Sequence, residues 1–420
     1  MDITVRNPVS RAAAYRDIYA RYVDEAAFLW MLHSVVVNQP HYYAADLAEL
    51  EQRIDAQLDG LMTSLELGWD ACAAMLDLEE PGEIFTATVT AMRSHDMSKI
   101  QQAVEAGLAN PRATPGLISA LGWLPEELAR LWIDKFLAGK DLRHKYLGVA
   151  ACSVRREDPA EKLTYILERA DCRQDPILYA RALRLVGELR RQDLMPIIQA
   201  ARTQEDPTVG FWARWSAILL GDHGVVTELQ PFVSQADSLQ PWALQMAFRV
   251  LSVEQGREWI SALAKDPAQA RTVVQATGIL GDPHAVNWLI SKMAELRLAR
   301  VAGEAFTNIT GIELERHQLH REAPAEVVAG PNDDPADANV AMDQDDNLPW
   351  PDVEKVAALW RRHGQHFLVG RRYFLGRPLS PEWLQEKLAN GSQRQRHAAA
   401  LELALAGEQP LINTRARIGI

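Results

Sequence analysis

A unit of roughly 30 residues recurs along this chain, and it restricts the fold more than any other feature. It is clearest in "DPILYARALRLVGELRRQDLMPIIQAA" (175–201), "DPTVGFWARWSAILLGDHGVVTELQPFV" (206–233) and "DPAQARTVVQATGILGDPHAVNWLISKM" (266–293). Each opens on Asp-Pro. The aspartate suits a helix N-cap, because its side chain accepts from N–H groups left over in the first turn, and proline suits the next position. A helix of small and apolar residues follows, with glycines (Gly187, Gly221, Gly278 and Gly281) where it is expected to end, and then a second amphipathic helix. A variant at 238–265, "SLQPWALQMAFRVLSVEQGREWISALAK", replaces Asp-Pro by Gln-Pro, and "DLRHKYLGVAACSVRREDPAEKLTYILERA" (141–170) extends the series upstream. Two such helices bury their apolar faces only by stacking on neighbouring units. The expected fold is therefore all-α, a HEAT-like α-solenoid of helical hairpins. Apolar spacing at i, i+3, i+4 runs throughout, and period-2 alternation is nearly absent.

The repeats imply a division along the chain. Helices at 1–135, including "DLAELEQRIDAQLDGLMTSLELGWDACAAML", read as N-terminal packing units, and 136–320 as the repeat array proper. The stretch "GEAFTNITGIELERHQLHR" (303–321) reads as the last repeat helix, with Gly311 at its end. Residues 321–351 then break the pattern. Between 322 and 348 there are eight acidic residues and no Lys or Arg, which suits a flexible acidic linker or a long inserted loop. A basic helical module at 352–420 follows, with eleven Lys/Arg against five Glu from 353 onward.

Charge and cysteine content exclude several roles. With a net charge of −12, the chain lacks the basic footprint of sequence-independent nucleic-acid binding, and direct contact with nucleic acid is not expected. No apolar run approaches the ~18 residues of a membrane span. The N-terminal stretch carries charges where a signal peptide needs an apolar core. Cys72, Cys152 and Cys172 are odd in number, with no CxxC, so a disulfide framework or zinc site is not indicated and a cytoplasmic location is expected.

Catalytic and cofactor motifs are also missing. There is no P-loop, GxSxG or HExxH, and no His-Glu dipeptide of the kind repeated in helical-repeat di-iron hydroxylases. Glu313, Glu315, His317 and His320 have the types and spacing of metal ligands, as have His363 and His366, but solvated helix faces explain both sets. We expect no metal, cofactor or catalytic residue. Trp212 and Trp215, three apart, are expected in the core. The basic residues Arg361, Arg362, Arg371, Arg372, Arg377, Arg394 and Arg396 could meet phosphates, or be neutralised internally by the acidic segment or the acidic body. The internal reading is favoured because the whole chain is acidic.

Some stretches are more specific than the repeat pattern. These are "DEAAFLWMLHSV" (24–35), "DLAELEQRIDAQLDGLM" (46–62), "GEIFTATVTAM" (82–92), "GEAFTNITGIELE" (303–315) and "GRRYFLGRPLSPEWLQEKLANGSQRQRHAAALELAL" (370–405). Together they resemble a family of proteobacterial HEAT-repeat proteins found near type VI secretion spike genes. The resemblance implies a helical solenoid and, as for some members, an immunity protein against a secreted DNA-degrading toxin. A nuclease must be electropositive to hold DNA, so an acidic inhibitor gains association rate and selectivity from charge. The partner-binding residues expected on this reading are Asp333, Asp334, Asp337, Asp343, Asp345 and Asp346, with Glu313 and Glu315. Alternatives are a HEAT-like scaffold or assembly factor of the secretion system, or a lyase-type HEAT enzyme.

Overall fold

The computed structural model describes residues 8–325, 327 and 343–418. The fold is all-α, built from stacked helical hairpins as in a solenoid. The chain forms two compact units. One comprises Met1–Ser216, Asn390–His397 and Pro410–Ile420, and the other Ala217–Ala389 and Ala398–Gln409. The basic stretch 352–420 is thus not a body of its own, since its residues are shared between the two units.

In the first unit the helices are α1 (Pro8–Val36), α2 (Ala44–Met62), α3 (Leu65–Met75), α4 (Pro81–Ser94), α5 (Met97–Ala109), α6 (Thr114–Trp123) and α7 (Glu126–Ala138). They continue as α8 (Leu142–Arg155), α9 (Glu161–Glu168), α10 (Ala170–Gln174), α11 (Pro176–Glu188) and α12 (Met195–Ala201), and α13 (Pro207–Leu219) begins here. Helices α1, α4, α6, α8 and α11 pack in sequence as one row. The middle of the row is buried on all sides, so α4, "PGEIFTATVTAMRS", has no polar face. Its threonines Thr86 and Thr90 bond back to the carbonyls of Gly82 (2.9 Å) and Thr86 (2.8 Å), which satisfies the hydroxyls within the helix. Rings bridge the layers. Phe85 of α4 stacks on Trp30 of α1 (centroids 5.5 Å apart) and meets the edge of Trp123 at the end of α6 (5.3 Å). Phe85 is fully buried, and truncating such a ring to alanine costs about 3–5 kcal/mol.

The Asp-Pro expectation holds in atomic detail. Asp175 accepts from the N–H groups of Ile177 (3.1 Å) and Leu178 (3.0 Å), Asp206 from Val209 (2.9 Å), and Asp266 from Ala268 (2.9 Å). In the Gln-Pro variant the capping role moves upstream to Asp237, which accepts from Leu239 (2.8 Å) and Gln240 (3.1 Å). The glycines divide differently from the expectation. Gly281 ends its helix with φ +74°, but Gly187 and Gly278 lie inside theirs. A Cβ on Gly187 would stand 2.7 Å from the Cα of Ser216, and one on Gly278 would stand 2.9 Å from the Cα of Ala305. Their role is close approach between layers, not termination.

The second unit holds α14 (Gln230–Ser234), α15 (Gln240–Val250), α16 (Val253–Leu263), α17 (Ala270–Leu280), α18 (Val286–Lys292), α19 (Ala299–Thr310) and α20 (Val353–His363). It also holds most of α21 (Pro381–Asn390) and the end of α22 (Gln393–Leu405). Helices α15, α17 and α19 form its row, with Val274, Phe306, Ile309, Val356 and Trp360 in the core. As the sequence predicts, "GEAFTNITG" lies in the last helix of the row, α19, capped by Gly311 at φ +70°.

Among the described residues there are four two-residue strands, too short for alternation to register in the sequence. β1 (His320–Arg321) pairs antiparallel with β2 (Trp350–Pro351), and β3 (Tyr373–Phe374) with β4 (Arg377–Pro378). Because Arg321 faces Trp350, the acidic stretch leaves and returns at one point. It is an inserted loop rather than a linker between bodies. Its closing part, 343–351, is packed, with Asp345, Leu348 and Trp350 buried.

Candidate functional site

Of the acidic residues expected to bind a partner, Asp333, Asp334 and Asp337 lie outside the described residues. Glu313, Glu315 and Asp346 are exposed in the second unit. Asp343 and Asp345 are engaged within that unit. Asp345 is buried, and its two oxygens accept from Arg271 at 2.6 and 2.7 Å. Asp343 pairs with Arg300, whose guanidinium also reaches the Asp345 carbonyl (2.9 Å) and lies over the Trp350 ring (4.6 Å). These two carboxylates hold the end of the acidic loop to α17 and α19.

The basic C-terminal residues divide, some paired within their own unit with carboxylates outside that loop, and others exposed. Arg372 pairs with Glu402 at 2.6 Å, and Arg417 pairs with Asp55 of α2. Arg361, Arg362 and Arg371 are exposed. Trp212 and Trp215 are buried and meet edge to face at 5.4 Å, as core residues. Cys72, Cys152 and Cys172 are buried and free, and burial pushes the Cys72 and Cys152 thiols up to about 12. His317 is exposed, with its ring on the Glu313 carbonyl at 3.0 Å.

Two features of the first unit were not singled out from sequence. The first is the outer face of α1. Val23, Ala26, Ala27 and Trp30 point into the core, yet on the opposite face Phe28, Met31 and Val35 are 55%, 51% and 45% exposed. At helical spacing these three form one stripe, continued by half-buried Leu32. Asp17, Asp24 and Glu25 are exposed on the same helix. Leu32 also lines a shallow groove of about 360 Å³ with His41, Asp46, Glu49 and Arg53. The signal was present in "DEAAFLWMLHSV", which is apolar on more than one face; a helix buried on one side has no need of that.

The second feature is a cluster of arginines around one carboxylate. Glu188, the last residue of α11, is fully buried. One oxygen accepts from Arg184 Nε at 2.9 Å, and the other meets Arg156 Nη1 at 3.1 Å and the Ser153 hydroxyl. Burial pushes this carboxyl up, but Arg156, Arg184, Arg181 and Ser153 outweigh it and hold it down to about 2. Arg184 lies over Trp212 at 4.5 Å. Arg181, one turn before Arg184, is pushed down to about 10 by burial and by Arg184. Arg415 joins from the C-terminal segment, its guanidinium lowered by burial and by Arg184 and Arg156. It also lines a cleft of about 220 Å³ with Trp30, Ser119, Trp123, Val154 and Arg417. Here Arg417 covers the Trp123 ring at 5.1 Å, and the Trp123 N–H donates to Asp55 at 2.8 Å.

No protein-family model matches the chain, and no match was found among curated proteins or solved structures. Among the described residues no helix is long and apolar enough to cross a membrane.

Proposed function

We propose that this chain is a non-catalytic interaction protein: an immunity protein that binds a type VI-secreted toxin with a basic nuclease domain and protects the producing cell from it. The observation that carries the reading is the exposed stripe Phe28–Met31–Val35 on α1, set beside Asp24 and Glu25. Apolar side chains grouped on one exposed face mark a surface that another macromolecule covers. Carboxylates at its margin and a net charge of −12 favour a partner of opposite sign. The stacked helices supply a rigid support of the kind repeat proteins use for binding. The identity of the partner as a secreted nuclease rests on the family resemblance of 24–35, 46–62, 82–92, 303–315 and 370–405.

Co-expression with the toxin encoded beside it is expected to restore growth and give a co-purifying pair. A neighbouring toxin that neither binds nor is neutralised would remove the immunity reading and leave that of a scaffold. Within a confirmed pair, Phe28→Glu with Met31→Glu is expected to weaken binding by about 30-fold or more, since central apolar anchors contribute about 2 kcal/mol and upward. Unchanged affinity in that variant would move the interface elsewhere. Affinity that does not fall between low and high salt would discount the contribution of charge.

A further inference from the structure

In the second unit, the turn that follows α20 carries an apolar tip. Leu368 and Val369 are each 62% exposed, while the rings that flank them in sequence, Trp360, Phe367 and Tyr373, pack on one another with centroids 5.3 and 4.9 Å apart. Their exposure is fixed by the backbone. The Leu368 N–H donates to the Tyr373 hydroxyl at 3.1 Å, and the Arg371 N–H to the Leu368 carbonyl at 3.3 Å, which closes the turn. The Gly370 N–H donates to the buried Asp282 at 3.0 Å. Gly370 holds φ +86°, which glycine adopts readily and other residues do not, and a Cβ there would meet nothing within 4 Å. The turn therefore stands clear of the chain around it.

Positive charge lies beside this tip. Arg361 and Arg362 are in the last turn of α20, which the Trp360–Phe367 contact holds against the start of the turn, and Arg371 is in the turn itself. All three are exposed, and among the described residues none of them makes an ion pair. From Lys355 to Pro381 there is no Asp or Glu. Asp282 and Glu402, which meet this stretch from other elements, are occupied by Arg257 and Arg372, each at 2.6 Å.

The negative end of the α20 dipole accounts for cations in its last turn, but not for Arg371 or for two consecutive aliphatic side chains held in water. A single exposed aliphatic residue is ordinary. A pair held outward by hydrogen bonds beside three unpaired arginines supplies both signals of reversible binding at a lipid surface, apolar insertion and attraction to anionic headgroups. A convex turn offers a peptide no groove, and a fluid surface needs none. The net charge of −12 does not oppose this, because exposed charges more than about 8 Å away are largely screened at physiological salt.

We propose that the tip at 361–371 docks on an anionic lipid surface, with Leu368 and Val369 entering between headgroups and Arg361, Arg362 and Arg371 meeting their phosphates. It uses none of the residues of the toxin-binding reading, and either can fail without the other.

The full-length protein is co-sedimented with vesicles of phosphatidylcholine alone and with vesicles in which about a third of the lipid is phosphatidylglycerol. Wild type is expected to bind the anionic vesicles in preference, and less as salt is raised. The triple variant Arg361→Gln, Arg362→Gln, Arg371→Gln is expected to lose on the order of 100-fold in affinity, about fivefold for each arginine. Leu368→Ser with Val369→Ser, which leaves the charge unchanged, is expected to lose about tenfold or more. Arg130→Gln, which removes an exposed arginine paired with Glu126, is expected to bind as wild type. Every substituted side chain is exposed, so the variants should keep the wild-type circular dichroism and Tm. No binding of wild type to anionic vesicles, equal binding to neutral ones, or retention of wild-type affinity by either multiple variant overturns the proposal. Binding of wild type to polyglutamate in place of vesicles would assign the tip to an acidic protein and overturn it as well.

Discussion

Replacing Glu188 by glutamine tests the electrostatics of the first unit most directly. The carboxylate is fully buried and sits near pKa 2, against about 4.5 when exposed. Each unit of difference is about 1.4 kcal/mol, so the charged form contributes about 3 kcal/mol of stability at neutral pH. Because the folded pKa is depressed, that contribution is fully present above about pH 4.5 and is lost as pH falls through about 2. Glutamine keeps the shape but removes the Glu188 charge that faces Arg156, Arg184 and Arg181, which acts in the same direction. For a body the size of this unit the loss corresponds to a fall in Tm of roughly 6–12 °C. Thermal unfolding followed by circular dichroism at pH 7, 4 and 3 should show the full gap between wild type and variant at pH 7 and a narrower one at pH 3. A Tm at pH 7 within about 1 °C of wild type would refute the reasoning, as would a gap that does not change with pH.

Two further outcomes follow from features outside that cluster. Asp345→Ala removes the bidentate partner of Arg271 and is expected to cost about 2–3 kcal/mol, below the range for a fully buried pair because Arg271 is partly exposed. Amide exchange over 343–352 should accelerate, and unchanged protection there would show that the ion pair does not hold the loop. His397 is held neutral, its Nε2 donating to the Val37 carbonyl at 2.8 Å and its Nδ1 facing the Thr414 hydroxyl. Burial and the nearby Arg415, with Arg396 and Arg394, push its pKa down to about 3, from an ordinary value of 6.5. Stability should therefore be complete above pH 6.5 and decline below it, and His397→Gln should flatten that decline between pH 6.5 and 4. An equal slope in both proteins over that range would count against it.

The parts legible in the sequence are those set by near neighbours. Asp175 caps a helix two and three residues away, and Gly311 ends one at its own position, so the unit and its boundaries could be read directly. Gly187 and Gly278 carry the same letter but answer to Ser216 and Ala305 in the next layer, which no local pattern reveals. The acidic loop misled for a similar reason. Asp343 and Asp345 look solvated until Arg300 and Arg271, more than forty residues upstream, are brought beside them. The arginine cluster was half visible, since Arg181, Arg184 and Glu188 share a helix face in "ARALRLVGEL". Arg156 and Arg415, its other members, come from the residue that follows α8 and from the C-terminal segment.

The pairing of Arg321 with Trp350 has a consequence for how this chain can vary. Two strands that clamp the base of an excursion make its length nearly irrelevant to the layers on either side, since doubling such a loop adds only about 0.6 kcal/mol of closure entropy. A residue added within a repeat helix rotates every later side chain by about 100°, whereas a residue added beyond the clamp rotates none. The segment between β1 and β2, ahead of its packed closing part at 343–351, is therefore a place where this architecture can accept new chain, whether a longer acidic run or an inserted reporter, with the register of both rows intact.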